Sequence, residues 1–187
     1  MKTAVNGLGL VGGSIAKELN RQVSPFEVYG IDSSELHVSK AIELGLVRST
    51  LSLDEAINRC TQMILAVPAD KIQALAIDVL DRIGAHHIVF DVGSTKDEIC
   101  KTVAAHTMRH RFVAAHPLAD TEFSGPEATH LNLFRGKKNI ICGAERSDDD
   151  ALILVSTMFK TSRICLINLI LMACMMPSSG PKISAEC

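Results

Sequence analysis

A short apolar run at residues 3–6 ends in Gly7-Leu8-Gly9-Leu10-Val11-Gly12, and no other feature of the chain constrains its fold as much. The GxGxxG spacing alone is weak, because glycine turns are common. Its surroundings make it specific: a strand comes before it, residues 14–21 favour helix, and an acid, Asp32, stands at the end of the next apolar stretch. Those are the contextual tests of a strand–turn–helix–strand unit that binds a dinucleotide. Gly7 permits the tight turn, Gly9 leaves room for a pyrophosphate, and Gly12 lets helix and strand pack closely. The turn through Leu10 and Val11 then offers free N–H groups and the positive end of a helix to the phosphates.

Asp32 can accept hydrogen bonds from the adenosine ribose hydroxyls and repels a 2′-phosphate. Ser33 and Ser34 supply no arginine to hold one. NAD is therefore expected over NADP. The plain alternative is a glycine turn and a helix-capping aspartate with no cofactor. Asn6 fits poorly, since the last residue of a buried first strand is usually apolar and a buried amide needs partners.

The rest of the chain repeats the rhythm. Strands are expected at residues 27–31, 63–67, 88–92, 112–115 and 139–142. Helices are expected at 34–44, 54–59, 70–83 and 96–106, with Gly45 stopping the second helix. On 70–83, Ile72, Leu75, Ala76, Val79, Leu80 and Ile83 share one face. Alternating strands and helices mean a mostly parallel, doubly wound sheet of the Rossmann kind, an α/β fold. Ligands of such sheets sit at the carboxyl ends of the strands, where the turns after residue 6, at Asp32, at Val67-Pro68 and at His116 fall.

Composition excludes several classes. The chain is 47% hydrophobic and 21% charged, which suits a packed domain and not a disordered chain. Nineteen Lys and Arg against 21 Asp and Glu give no basic excess for nucleic acid. The six cysteines form no CxxC pair, so no metal site is expected, and reduced thiols in a cytoplasmic protein are. The apolar start is broken at once by Asn6 and glycines, unlike a signal peptide.

Two polar clusters remain: Asp91-Val92-Gly93-Ser94-Thr95-Lys96, and His116-Pro117-Leu118-Ala119-Asp120-Thr121-Glu122-Phe123-Ser124-Gly125-Pro126-Glu127. Taken alone, Ser94 could cap a helix with Asp97 at its third position, in the manner of a capping box. His116 could end a strand with its ring in solvent, and Lys96 could be a solvated helix residue. The other histidines (His37, His86, His87, His106, His110 and His130) read as surface.

In order along the chain, GLGLVGGS, AVPAD, DVGSTK and AAHPLADTEFSGPEA resemble prephenate dehydrogenases, from residue 1 to about 160. The last two blocks are far more specific than the glycine motif. The resemblance implies NAD-dependent oxidative decarboxylation of prephenate to 4-hydroxyphenylpyruvate, a step toward tyrosine. By position, His116 matches the catalytic histidine, which accepts a hydrogen bond from the ring hydroxyl; a neutral imidazole suits this, its ordinary pKa being about 6.5. Ser94 matches the serine that touches cofactor and substrate and orients the histidine. Gly7, Gly9, Leu10, Val11, Gly12, Asp32, Val67 and Pro68 fall in the cofactor site. Thr121 and Ser124 join Ser94 and His116 on the substrate, and the family's members are homodimers. An arogenate dehydrogenase, a β-hydroxyacid dehydrogenase or a non-catalytic NAD-binding module are the competing readings; the second would want a catalytic lysine on a later helix.

Two departures from the family are expected to impair activity. Asp120 stands where the family has glycine, adding a carboxylate where a dianionic substrate lies. The tail, ICLINLILMACMM at residues 164–176 followed by PSSGP, lacks the acidic, histidine-bearing helix that opens the family's helical domain. The expected organisation is a dinucleotide-binding domain at 1–163 and an atypical apolar tail at 164–187, frameshifted or truncated, or else a divergent short helix. Its 13-residue apolar run is too short to span a bilayer.

Overall fold

The core of the molecule divides into two apolar layers, one on each face of a single sheet. In the computed structural model, residues 1–21, 26–119, 124–161 and 165–168 are described, with the backbone alone for 161 and 165–168. The strands are β1 (Lys2–Asn6), β2 (Glu27–Ile31), β3 (Ser49–Thr50), β4 (Gln62–Leu65), β5 (Ile88–Asp91), β6 (Phe112–Pro117), β7 (Lys138–Cys142) and β8 (Cys165–Asn168). Their order across the sheet is β3-β2-β1-β4-β5-β6-β7-β8. Every pairing is parallel except β6 with β7. The chain thus winds outward from β1 in one direction and from β4 in the other, and the reversal between them is where such sheets open a crevice.

Alternation along the strands assigns the layers. Val5, Ile64, Phe90, Val113 and Ala115 face α1 (Leu10–Asn20), α2 (Glu35–Glu43) and α6 (Asp149–Thr161). Ala4, Met63, Leu65, Val89 and Ala114 face α3 (Leu53–Arg59), α4 (Ala69–Arg82) and α5 (Lys96–Val103). On α4 the residues that read as one face are the ones that pack: Ile72, Ala76, Val79, Leu80 and Ile83 are buried. Ser52 and Glu55 form a capping box that starts α3, a signal present but unread in the sequence. Among the described residues no helix is long and apolar enough to cross a membrane.

The doubly wound architecture agrees with expectation; several edges differ. The first helix starts at Leu10, inside the glycine motif, because Gly9 ends the turn and serves as its N-cap. The sixth strand runs on through His116 and Pro117, which pair antiparallel with Ile140 and Asn139 of β7. His116 is therefore held within the sheet, not at a free strand end. The N-cap of α5 is Thr95, with no side-chain cap bond, so Ser94 caps nothing. His87 is no surface residue: it is buried, with Nε2 2.9 Å from the carbonyl of Ile57. β8 lies two residues past the expected end of the domain and pairs with β7, carrying the sheet into the first residues of the tail.

Candidate active site

The turn after β1 is shaped by what its glycines lack. Gly7 adopts φ +98°, which other residues rarely tolerate, and a Cβ there would collide with the backbone of Ala66 in the turn after β4. A Cβ on Gly12 would collide with the Gly7 carbonyl oxygen. A Cβ on Gly9, by contrast, would meet nothing within 4 Å. Gly9 is the N-cap of α1, and no side chain caps that helix. The turn thus combines an open space with an uncapped helix N-terminus, which is what an incoming diphosphate requires. Leu10 is buried in the core, so only its backbone faces the opening.

Asp32 sits just past β2 and is largely enclosed, its side chain 10% exposed. Its Oδ2 accepts the Leu8 N–H at 2.7 Å and its Oδ1 the Ser34 N–H at 2.8 Å. The carboxylate therefore braces the glycine turn. His37 joins it, with Nδ1 3.3 Å from Oδ2, and so reads as more than surface. Asn6 is 7% exposed and makes no side-chain hydrogen bond to another described residue; its backbone carbonyl takes the Ala66 N–H at 2.7 Å.

At the β1–β4 reversal lies a cleft of about 270 Å³. Its walls are Val11 from α1, Ala66, Val67, Pro68 and Ala69 after β4, Val92, Gly93 and Ser94 after β5, and His116, Pro117 and Ala119 from β6 and its exit. The expected cofactor residues Val11, Val67 and Pro68 thus share one space with the expected reaction residues Ser94 and His116. Gly7, Gly9, Gly12 and Asp32 shape the adjoining turn and do not line the cleft. Ser94 is exposed, and no hydrogen bond joins it to His116. Ser124 is also exposed, outside the cleft wall, and precedes a short 3-10 turn at Pro126–Ala128 that packs on α1 and α2. Asp120 and Thr121 lie outside the described residues.

Beneath the cleft is a pair that the sequence left open. Asp91, fully buried at the end of β5, forms an ion pair with Lys96 of α5 and accepts the Gly93 N–H at 3.1 Å. Lys96 is 10% exposed and also donates to the Ala115 carbonyl at 2.8 Å. It is not a solvated helix residue. Burial pushes the Asp91 carboxyl up, and Lys96 opposes that push by charge and hydrogen bond. Burial, and then the Lys96 charge, hold the His116 imidazole below its ordinary range. The signal was available in the sequence: an acid closing an apolar buried strand needs a partner, and the nearest cation is five residues on.

Comparisons with known proteins fit this geometry. Residues 15–167 match the family described as prephenate dehydrogenase, nucleotide-binding domain. The prephenate dehydrogenase of Bacillus subtilis is 28% identical over 82% of this chain and 42% of its own. The cyclohexadienyl dehydrogenase of Zymomonas mobilis is 31% identical over 71% of this chain and 45% of its own. Among solved structures, the prephenate dehydrogenase of A. aeolicus in complex with hydroxyphenyl propionate and NAD+ superposes with a TM-score of 0.84 at 27% identity, covering 90% of this chain and 59% of that one. The chain spans less than half the length of these curated relatives. Because the family model matches most of the chain, and a relative 31% identical covers 71% of it, the chain belongs to the prephenate dehydrogenase family of NAD-dependent oxidoreductases and carries its nucleotide-binding domain.

Proposed function

We propose that this chain is the NAD-binding and reacting part of an enzyme that oxidatively decarboxylates prephenate to 4-hydroxyphenylpyruvate, a step toward tyrosine in the cytoplasm, and that its domain, expected at residues 1–163, runs on through β8. The observation that carries the reading is the cleft in which Val11, Val67 and Pro68 meet Ser94 and His116. NAD fits the turn: Gly9 leaves the space a diphosphate would fill, the backbone of Leu10 and Val11 opens α1 toward it, and Asp32 stands ready for ribose hydroxyls. When bound, the cofactor supplies a hydride acceptor.

His116 accepts a hydrogen bond from the substrate's ring hydroxyl, and electron density gathers on that oxygen as hydride leaves the same carbon. The ring carboxylate then departs as carbon dioxide and the ring becomes aromatic. An imidazole held below its ordinary range stays neutral, and so stays an acceptor, at neutral pH. Ser94, on the neighbouring wall, contacts cofactor and substrate; Thr121 and Ser124 complete the substrate contacts. A homodimer is the proposed assembly.

The test is NADH formation from prephenate and from arogenate. Because the chain spans less than half of its relatives, it is assayed alone and joined to the C-terminal remainder of the B. subtilis relative. Turnover of prephenate with NAD by the joined chain, with little or none by the chain alone, and lost in His116→Asn by a factor on the order of 10² to 10⁴, is the expected result. Turnover that survives His116→Asn would overturn the assignment, and turnover of arogenate alone would move it to that substrate.

A further inference from the structure

Asp91 and Lys96 bridge the two walls that carry the reaction residues. Asp91 closes β5, and its Oδ2 takes both the Lys96 ammonium and the Gly93 N–H, the residue before Ser94. The same ammonium donates to the carbonyl of Ala115, the residue before His116. One largely enclosed cation therefore ties the loop of Ser94 to the strand of His116. Burying a charge pair is expensive, and an apolar pair of similar volume would close the same gap at no greater cost. The charge is thus poorly explained as a fastening for the fold.

We propose that Lys96, locked by Asp91 and the Ala115 carbonyl, is a positioning residue that sets the Ser94 loop against His116 and keeps a fixed positive charge beside the His116 ring. That charge disfavours a second one on the imidazole, so the ring remains a hydrogen-bond acceptor. Among the described residues Lys96 is the charge acting on the ring, alongside burial, with Asp91 bound to the ammonium. The inference rests on the reading of His116 above, but its test needs no turnover.

The His116 ring is titrated by NMR in the chain itself, its signals assigned by their absence from His116→Asn. Lys96→Gln removes the charge and keeps a donor for Asp91 and the Ala115 carbonyl. The double variant Asp91→Asn/Lys96→Met removes both charges, so that no lone carboxylate is left buried. In both, the midpoint of His116 is expected to move upward, while Lys96→Arg leaves it in place. An unmoved midpoint in either folded charge-removing variant, with only a lower melting temperature, would make the pair a structural clamp and overturn the proposal. A shifted midpoint with no prephenate turnover even by the chain joined to the C-terminal remainder of its relative would instead sink the functional reading and leave this one standing.

Discussion

The two halves of the candidate site are built by opposite means. On the β1 side the chemistry is made by absence: glycines without side chains, a helix without a cap, and one carboxylate held by backbone N–H groups. On the β5–β6 side it is made by presence: a buried acid, a largely enclosed lysine and a half-buried histidine, contributed by segments some twenty residues apart. The first half works through spacing along a few residues. The second works through contacts across strands. A substitution should therefore act on the first half through steric exclusion and on the second through charge.

The sharpest contrast lies within the glycine turn. Gly12→Ala places a methyl against the Gly7 carbonyl and 3.0 Å from the Ala66 Cβ, where backbone must move. It should cost about 3 kcal/mol, at the upper end for an overpacked site. Thermal or urea unfolding checks this, and a variant as stable as the parent would mean that the turn is looser than described.

Asp32→Ala comes next, because it probes both roles of one carboxylate. The Leu8 and Ser34 N–H groups lose a charged acceptor, at about 1 to 3 kcal/mol if nothing replaces it. The preference for NAD over NADP should narrow in calorimetric titrations. Lower stability with an unchanged preference would leave Asp32 a brace and nothing more.

How far the sequence carried the account follows the same division. The glycine turn, the second strand ending at Asp32 and the amphipathic α4 were legible because each depends on local spacing, of period 2 or 3.6 or fixed by the motif. Motif blocks carried His116 and Ser94 by resemblance, not by physics. The partner of Asp91 was left open, since whether Lys96 points to solvent or folds under the cleft depends on how α5 packs against β6. The continuation of β6 through His116-Pro117 was hidden too, because proline usually ends a strand; here it tolerates one antiparallel neighbour, β7. His87 was misread because its burial is set by the Ile57 carbonyl, thirty residues upstream.

A smaller effect separates the halves by pH. Burial and Lys96 hold His116 below the ordinary imidazole value of about 6.5, so the folded chain binds that proton less readily than the unfolded chain does. Its contribution to stability is then present above about pH 6.5 and is lost as pH falls through the lower folded value. Urea midpoints across this window should fall toward acid more steeply in the parent than in His116→Asn. Parallel curves would place the ring in an ordinary, solvated setting.

The central claim is that the open space at Gly9 is where the cofactor diphosphate lies, and calorimetric titration of NAD into the parent and into Gly9→Val tests it most directly. A Cβ at Gly9 meets nothing within 4 Å, so the variant should fold as the parent does and lose no more than about 1 kcal/mol, from placing valine at a helix N-cap. NAD should bind the parent and show no measurable binding to the variant. A Gly9→Val chain that binds NAD as tightly as the parent would contradict the account, because the cofactor would then lie elsewhere.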